Sequence, residues 1–365
     1  MKTFFDLVKE VQDQGLCHRC GGCVTFCTAI NYSALALDEN GMPGFSNQEK
    51  CIECGLCYTI CPETDELEED TKKISSWEPP MGSILETGIG KARDAGIRKK
   101  ATDGGVVTAL LVHLFDRGHI DGAIVTRQVD LFNREPFLAT TREEIIEAAG
   151  FYFDASHGIN HFSGKYSTYA PSVEEFRPMM QKHLQRVALV GTPCQIKAVR
   201  RIEALGVVPS DVIKYCLGLF CSGNFIFGEE ERKKMEKLGS FSWQDLKKVN
   251  VKEKLMLHLK NGKVNALSLD RINFMKRHAC MYCDDYSAEY ADISFGGIGA
   301  EEGWTSVICR TPLGRAVYVD ACESTVEQFK GDPGQLTRTM QTIQTASNHK
   351  KKRAAENKKS IHSRG

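Results

Sequence analysis

The sequence predicts an α/β fold in two unequal parts, with a small cysteine-rich module at the front and a larger domain with a mixed sheet behind it. Eight closely spaced cysteines occur before residue 62, and Pro79, Pro80 and Gly82 then mark a boundary. From residue 83 onward, helical patterns alternate with short apolar runs, as in α/β domains. The 365 residues are 42% hydrophobic and 26% charged, which leaves room for two or three globular domains.

The front module contains two copies of the spacing C-x2-C-x2-C-x3-C. This is the bacterial ferredoxin pattern, in which the first three thiolates of each run hold one 4Fe-4S cluster and the fourth ligates the other cluster. The module is therefore predicted to carry electrons one at a time. The predicted ligand sets are Cys17, Cys20, Cys23 and Cys61 for one cluster, and Cys51, Cys54, Cys57 and Cys27 for the other.

The first run departs from the pattern, because Thr28 follows Cys27 where proline is usual. We interpret this as a tolerated turn variant. A structural zinc pair and disulfides are the alternatives. Zinc sites use four ligands in two pairs, whereas each run here places four cysteines in one stretch, so the spacing favours iron–sulfur clusters.

Charge and hydropathy exclude several classes of protein. The 47 basic and 47 acidic residues give a formal net charge of zero, so no global field argues for a nucleic-acid partner. Residues 1–15 contain charges and lack the apolar region of a signal peptide, and no run of about 18 apolar residues could span a bilayer. We therefore expect a protein of the reducing cytoplasm.

Apolar periodicity predicts the elements in order along the chain. An amphipathic helix at residues 3–11 leads into the cysteine module, and a helix at 104–115 ends before Gly118. Asn261-Gly262 is a strong hairpin signal between two apolar runs. Further strands are predicted at 121–126, 187–190, 291–295 and 305–309, and a further helix at 195–205.

Two charged segments flank the larger domain. Residues 63–70 are acidic and favour a solvated linker; the alternative is a docking face or a charge that lowers the potential of a nearby cluster. Residues 350–365 are basic, and a disordered or frayed tail is the default interpretation. The alternative is an arm that docks on an acidic partner subunit or an anionic membrane surface.

The later cysteines suggest a third metal centre. Cys194 follows a predicted strand, so it lies at the carboxyl edge of the sheet where α/β folds bind ligands. Cys280 and Cys283 form a C-x2-C pair that could grip one corner of a metal group. Cys216 or Cys221 could supply the fourth thiolate, and we prefer Cys221 because it ends an apolar run and adjoins Ser222-Gly223, where a loop can reach a site. Unligated core cysteines are the alternative, and this role is favoured for Cys309 and Cys322.

A glycine pair suggests a phosphate site. Gly104 and Gly105 lie where a helix begins, shortly after the basic run 98–100, and free amides at a helix start attract phosphate. No G-x-G-x-x-G motif follows a strand, so a Rossmann dinucleotide site is not indicated. An ordinary helix start is the alternative.

These features together resemble the family of coenzyme F420 hydrogenase/dehydrogenase beta subunits, and the layout is similar to that of the electron-input subunit of F420H2 dehydrogenases. The resemblance covers most of residues 90–320, although the family's usual serine before the two glycines is Asp103 here. Its motifs are Asp103-Gly-Gly-Val-Val-Thr-Ala-Leu-Leu111, Gly164-Lys-Tyr166, Gly191-Thr-Pro-Cys-Gln195, Leu217-Gly-Leu-Phe-Cys221, Cys280-Met-Tyr-Cys-Asp284 and Ala291-Asp-Ile-Ser-Phe-Gly296.

The resemblance implies FAD beside a third 4Fe-4S cluster, and hydride exchange between FAD and coenzyme F420. It implies a two-cluster ferredoxin domain at 1–75, an FAD- and F420-binding α/β domain at 76–330, and a basic tail or docking extension at 331–365. It also implies partner subunits, as in soluble hydrogenase, formate dehydrogenase or heterodisulfide reductase assemblies. The implied ligands of the third cluster are Cys194, Cys221, Cys280 and Cys283, and the implied FAD contacts are Gly104, Gly105, Val106, Thr108 and Lys165.

Three functional hypotheses follow. The first is an F420-linked flavoprotein that passes single electrons to a redox partner, because a flavin can exchange both hydrides and single electrons. Lys197, Arg200 and Arg201 are then candidates for a basic lip that receives the anionic coenzyme, or are plain surface charges. The second is a ferredoxin-dependent flavin reductase of an organic substrate, and the third is a polyferredoxin connector without flavin.

Overall fold

The computed structural model describes residues 1–29, 32–38, 41–128, 134–150, 184–206, 210–226, 228–332 and 334–362. The motif at 164–166, and Lys165 with it, lies outside the described residues. None of the helices within these ranges is both long and apolar enough to cross a membrane.

The front module is a small unit with its own core. Helix α1 (Phe4–Leu7) continues as a π-helical turn at Val8–Gln12, so the predicted helix at 3–11 is confirmed with a change of helix type. Helices α2 (Gly22–Ala29) and α3 (Leu56–Thr59) carry cysteines of the two runs, and strands β1 (Leu35–Leu37) and β2 (Pro43–Phe45) pair antiparallel between them. The side chains buried together include Phe4, Leu7, Val11, Val24 and Tyr58, with several cysteines packed against them.

The acidic segment after the second run becomes helical at Glu68. Helix α4 covers Glu68–Ile74 and packs against the later helix Pro193–Ala204. Glu68 lies 2.9 Å from Lys197 Nζ and 3.0 Å from Arg201 Nη2. The expectation of a solvated linker is therefore wrong for Glu68, which meets cations of the larger domain, whereas the other acids of the stretch at 65, 66, 69 and 70 are exposed.

A mixed sheet forms the centre of the larger domain, as the sequence predicts. Its strands are β3 (Glu86–Ala92), β4 (Gly122–Gln128), β5 (Arg134–Ala139), β6 (Val187–Gly191), β7 (Ile213–Leu219), β11 (Ile293–Gly296), β12 (Thr305–Cys309) and β13 (Val326–Gln328). Within the described residues the strand order is β13-β3-β12-β11-β7-β6-β4-β5. β4, β6, β7 and β11 pair parallel, and the remaining neighbours pair antiparallel.

Helices cover the sheet, and their caps explain where they begin. The helix predicted at 104–115 is Val106–Asp116; it starts after Gly105, whose φ of 77° is strained for other residues, and its side chains are almost all buried. The helix predicted at 195–205 is Pro193–Ala204, begun by a Thr192–Gln195 capping box with proline in the first turn. The helices are α5 (Ala95–Lys100), α6 (Val106–Asp116), α7 (Arg142–Glu147), α8 (Pro193–Ala204), α9 (Glu229–Gly239) and α10 (Pro312–Ser324).

A second, three-stranded sheet lies beside the central one. Strands β8 (Leu246–Val251), β9 (Lys254–Leu259) and β10 (Val264–Ser268) pair antiparallel, and the predicted hairpin at Asn261-Gly262 joins β9 to β10. Gly262 has a φ of 86°, which the tight turn requires. Short 3-10 helices at Gln48–Lys50, Ser210–Val212, Trp243–Asp245, Leu269–Met275 and His278–Met281 complete the description.

The chain closes with one long helix, α11, at Gly334–His362. Ile343, Ser347, Lys350 and Ala354 are each buried, and their spacing of three or four residues places them on one face of the helix. The interpretation of residues from Lys350 onward as a disordered or frayed tail is therefore wrong through residue 362. The basic composition suggests solvent exposure, whereas this face of the helix packs against the rest of the protein.

Candidate redox site

The first cysteine run is joined by the last cysteine of the second run. Burial first, and then the neighbouring thiolates of Cys20, Cys17 and Cys61, raise the pKa of Cys23 well above its ordinary value. The thiol of Cys61 shows the same pattern, because burial and then the charge of Cys20 raise its pKa. Cys17, Cys20, Cys23 and Cys61 line one small cavity, so the crossed set that the spacing predicts is brought together.

The second run shows the reciprocal arrangement. Burial raises the pKa of Cys57 to about 12, and the thiolates of Cys54, Cys51 and Cys27 contribute to the shift. Cys27, Cys51, Cys54 and Cys57 line a second small cavity. The last cysteine of each run thus lies with the first three cysteines of the other run.

A third group forms from cysteines that are far apart in sequence. Cys194 lies in the first turn of α8, Cys221 follows β7, and Cys280 lies in the 3-10 helix before Cys283. Burial raises the pKa of Cys194 well above its ordinary value, and the charges of Cys20, Cys283 and Cys221 add to this. Burial raises the pKa of Cys283 to about 12, with a further contribution from Cys280.

Cys216 lies outside this group. Its backbone N–H donates to Asp292 Oδ2 at 2.7 Å, and the charged groups that act on its thiol are Arg200, Asp292 and Glu203. Cys221 instead lies beside Cys280, and its N–H donates to the carbonyl of Tyr286 at 2.8 Å. Of the two candidates for the fourth thiolate, the structure therefore brings Cys221 to the group.

Among the described residues, no three His, Cys, Asp or Glu side chains are close enough to hold a single metal ion. A zinc ion holds its sulfur ligands at about 2.3 Å, which draws four thiolates tightly together. A cubane accepts one thiolate at each iron corner, so its ligands stand further apart.

The third group lies next to the first ferredoxin set. The charge of Cys20 is the largest thiolate contribution to the raised pKa of Cys194. Helices α2 and α8 pack closely here, since a Cβ added to Gly22 would lie 3.1 Å from the Cβ of Ala198. The front module therefore lies against the larger domain at the point where two cysteine groups meet.

A large cavity adjoins the third group. It has a volume of about 390 Å³ and lies at the carboxyl ends of β4, β6, β7 and β11, where ligands bind in sheets of this kind. Thr192 lines it, and Thr192 Oγ1 is 3.3 Å from Cys194 Sγ. Phe220 lines it as well and directly precedes Cys221. On two separate segments, a residue that lines the cavity therefore precedes a cysteine of the third group by one or two positions in the sequence.

The glycine motif reaches this cavity in part. Gly105, Val106 and Thr108 line it, whereas the N–H of Gly104 is used within the fold, where it donates to Thr305 Oγ1 at 3.0 Å. Gly104 would clash with the carbonyl of Gly90 if it carried a Cβ, at 2.6 Å, so its role is close packing.

Asp103 also lines the cavity. Burial raises the pKa of Asp103, and Asn250 Nδ2 donates to Asp103 Oδ1 at 2.7 Å. A Cβ on Gly297 would lie 2.5 Å from Asp103 Oδ2, so glycine is needed there. A buried carboxyl group thus stands beside the start of α6, where the sequence suggested a phosphate site.

The sequence did not identify several cavity-lining residues. Phe220 and Gly296 belong to motifs quoted for other reasons, so a signal existed for them. Asn250 and Val251 come from the second sheet, and nothing in their local pattern connects them with a glycine pair almost 150 positions earlier. Only the folded arrangement places them over the cavity.

The predicted basic lip is wrong. Arg201 is completely buried, and its guanidinium donates to Thr64 and Glu68 and to the carbonyl of Cys61. Arg200 is buried against Asp292 at 2.9 Å, and Lys197 pairs with Glu68. These three cations hold the front module and the sheet together because their helix faces both, so they are not free to receive a ligand.

Comparison with known proteins agrees with this architecture. Residues 9–62 match a 4Fe-4S dicluster domain, and residues 89–162 and 184–332 match the N-terminal and C-terminal parts of the coenzyme F420 hydrogenase/dehydrogenase beta subunit. The coenzyme F420 hydrogenase subunit beta of Methanococcus voltae is 31% identical over 69% of this chain and 86% of its own length. A subunit of the F(420)H(2) dehydrogenase of Methanosarcina mazei is 28% identical over 85% of this chain and 84% of its own.

The fold is also found in a solved structure. A chain of the F420-reducing [NiFe] hydrogenase complex from Methanosarcina barkeri superposes with a TM-score of 0.67 at 24% identity, over 79% of this chain and 96% of that one. This likeness concerns the fold alone. Taken with the matched family models, it shows that the chain belongs to the family of coenzyme F420 hydrogenase/dehydrogenase beta subunits and carries an iron–sulfur dicluster domain at its front.

Proposed function

We propose that this chain exchanges a hydride between coenzyme F420 and FAD and passes single electrons through three 4Fe-4S clusters to or from a partner redox complex. The observation that carries the proposal is the position of the third cysteine group, which adjoins both the large cavity and the first ferredoxin set. Its oxidoreductase class follows from the family, whose relatives are subunits of F420-dependent complexes.

The cavity suits a flavin. Its volume of about 390 Å³ lies within the range of cofactor pockets, roughly 300–1,000 Å³. Glycines at the strand ends leave room for a flat ring, and Val107, Leu111 and Phe295 supply apolar walls. Amides in the first turn of α6 are donors for an anionic group, and Gly105, Val106 and Thr108 would hold FAD there.

Twelve cysteines would hold the clusters. The proposed sets are the two crossed ferredoxin sets and the group of Cys194, Cys221, Cys280 and Cys283. When bound, FAD converts between a hydride and single electrons, and the clusters carry those electrons. The chain's own residues position the cavity wall against Cys194 through Thr192 and against Cys221 through Phe220. No acid or base is required of the protein, so its contribution is orientation.

The anionic coenzyme needs a cation other than those of α8. Lys248 is half-buried on β8, and its charge reaches Asp103 in the cavity wall. Lys248 lies two residues before Asn250 on β8, so its side chain leaves the strand on the same face as the Asn250 amide that donates to Asp103. We propose that Lys248 contacts the anionic tail of F420.

The partner is proposed to be another subunit of a cytoplasmic redox assembly. The basic composition of the C-terminal segment suggests docking on a membrane, but the contacts of its side chains support this less. Lys350, Lys351 and Arg353 make hydrogen bonds within the chain, so fewer cations face outward than the sequence contains.

The test uses the full chain, purified anaerobically and reconstituted with iron, sulfide and FAD. We expect one FAD and about 12 iron atoms per chain, at four per cluster, and bleaching of the flavin on addition of reduced F420. Iron near eight would refute the third cluster. Bound FAD that does not respond to F420 would instead indicate a ferredoxin-dependent reductase of an organic substrate, and protein without FAD would indicate a connector.

A further inference from the structure

The C-terminal helix α11 lies across both loops of the third cysteine group. Lys350 Nζ donates to the carbonyl of Cys221 at 2.8 Å and to that of Asp285 at 2.7 Å. Arg353 Nη2 donates to the carbonyl of Cys280 at 2.9 Å, and Asn357 Nδ2 donates to that of Met281 at 2.9 Å. One helix thus ties the segment after β7 to the segment that carries the C-x2-C pair.

Lys350 is an unusual residue at the centre of this contact. It is 3% exposed and shares the buried face of α11 with Ile343, Ser347 and Ala354. Lysine is almost never fully buried unless its charge is compensated. The two hydrogen-bond acceptors described above are neutral carbonyl oxygens, one of which belongs to a cysteine of the third group.

The compensating negative charge is at hand in the cysteine group itself. Lys350 Nζ contacts the carbonyl of Cys221 and Arg353 Nη2 contacts that of Cys280, so both cations lie beside proposed ligands of the third cluster. A cubane with four thiolate ligands is an anion, and it becomes more negative by one charge when it is reduced. A fixed cation beside it stabilises the reduced form, and the low effective dielectric of a buried site strengthens the effect.

We propose that α11 is a cationic cover of the third cluster, in which Lys350, assisted by Arg353, raises the reduction potential of that cluster. The helix lies beyond residue 332, where the match to the family model ends. The inference rests on the proposed third cluster and adds a control of its potential.

The experiment is a redox titration of the iron-loaded full chain, followed by low-temperature electron paramagnetic resonance. The signal of the third cluster is identified as the one that the Cys280→Ser variant lacks. In Lys350→Met we expect that signal to titrate at a more negative potential. The expected drop in the equilibrium constant for one-electron reduction is about tenfold, which equals about 59 mV.

Three further variants separate charge from structure. Lys350→Arg keeps the charge and should keep the wild-type potential, and Arg353→Met should shift it in the same direction as Lys350→Met by a smaller amount. Lys352→Met is the matched control, because it removes an equal charge from a side chain of the same helix that is 77% exposed, and it should change nothing.

Lys350→Met with full iron content and the wild-type potential would overturn the inference. If Lys350→Met does not retain iron, Arg353→Met becomes the test variant. Equal reduction potentials of the third cluster in Arg353→Met and Lys352→Met would then overturn the inference. Failure of the proposed function gives a distinct result, because the wild-type protein would then show no electron paramagnetic resonance signal that is lost in Cys280→Ser.

Discussion

The front module and the third cysteine group build comparable sites in opposite ways. The module brings its ligands together within two short runs, so the spacing of the chain alone determines which cysteines meet. The third group draws Cys194, Cys221, Cys280 and Cys283 from three separate segments, and the sheet, α8 and α11 hold them in place. The first site depends on local geometry, whereas the second depends on the integrity of the whole larger domain.

The largest expected effect is on iron content, which should distinguish the proposed ligand cysteines of the larger domain from its core cysteines. Cys280→Ser should lower the iron content from about 12 to about eight per chain and leave the ferredoxin pair in place. Cys216→Ser is the matched control, because Cys216 is also buried but faces Arg200 and Asp292, and it should keep all the iron. Iron analysis checks both variants; equal iron contents would remove the distinction.

The contact between the two regions should be the next most sensitive feature. Arg201 is a fully buried residue of α8 that bridges to the front module, so Arg201→Met removes the donor to two carbonyl groups and one of the cations on Glu68. We expect a loss of about 3 kcal/mol in apparent stability, measured by anaerobic thermal unfolding. Lys233→Met, which breaks an exposed ion pair on α9, should cost less than about 0.5 kcal/mol. Similar losses in both variants would contradict the account of this contact.

The same contact should respond to acid. Burial alone would raise the pKa of Glu68, but Lys197, Arg201 and Tyr290 outweigh it and lower the pKa to about 2. Because the folded-state pKa lies below the unfolded value, this stabilisation is present above about pH 4.3 and is lost as the pH falls toward 2. Allowing for solvent screening, Glu68→Gln should cost about 2 kcal/mol at pH 7, and the difference from wild type should shrink in acid. A difference that is independent of pH would exclude this origin.

A smaller effect is expected on FAD affinity, which should fall for a substitution in the cavity and not for one in the front module. Gly297→Ala places a methyl group against the carboxyl of Asp103, so we expect FAD to bind about tenfold more weakly, as measured by fluorescence titration. Gly44→Ala is the control, since a Cβ on Gly44 in β2 meets open space. If both variants bind FAD with wild-type affinity, the cavity is not the flavin site.

The smallest expected effect concerns F420. Lys248→Met should raise the KM for F420 several-fold and leave kcat unchanged, because it removes a binding charge and no reacting group. Lys247 is the neighbouring residue on β8 and is exposed, so Lys247→Met is the control and should behave as wild type. An unchanged KM in Lys248→Met would remove this residue from the coenzyme site.

The sequence predicts much of the fold but little of the contact between its parts. Strands, the Asn261-Gly262 hairpin and the cysteine runs follow local rules, so residues a few positions apart are sufficient to predict them. From the sequence, Arg200 and Arg201 look like surface cations on an amphipathic helix. The fold instead buries Arg200 against Asp292 and Arg201 against Glu68 of α4. The tail is misjudged for the same reason, because the partners of Lys350 lie 65 and 129 positions away.

The most direct test mixes reduced F420 with the cofactor-loaded chain and follows the ferredoxin signal in the wild-type and Cys280→Ser proteins. The account predicts rapid reduction of the ferredoxin pair in the wild type and a loss of at least a hundredfold in rate in the variant. Reduction of the pair at the wild-type rate in Cys280→Ser would show that electrons bypass the third group.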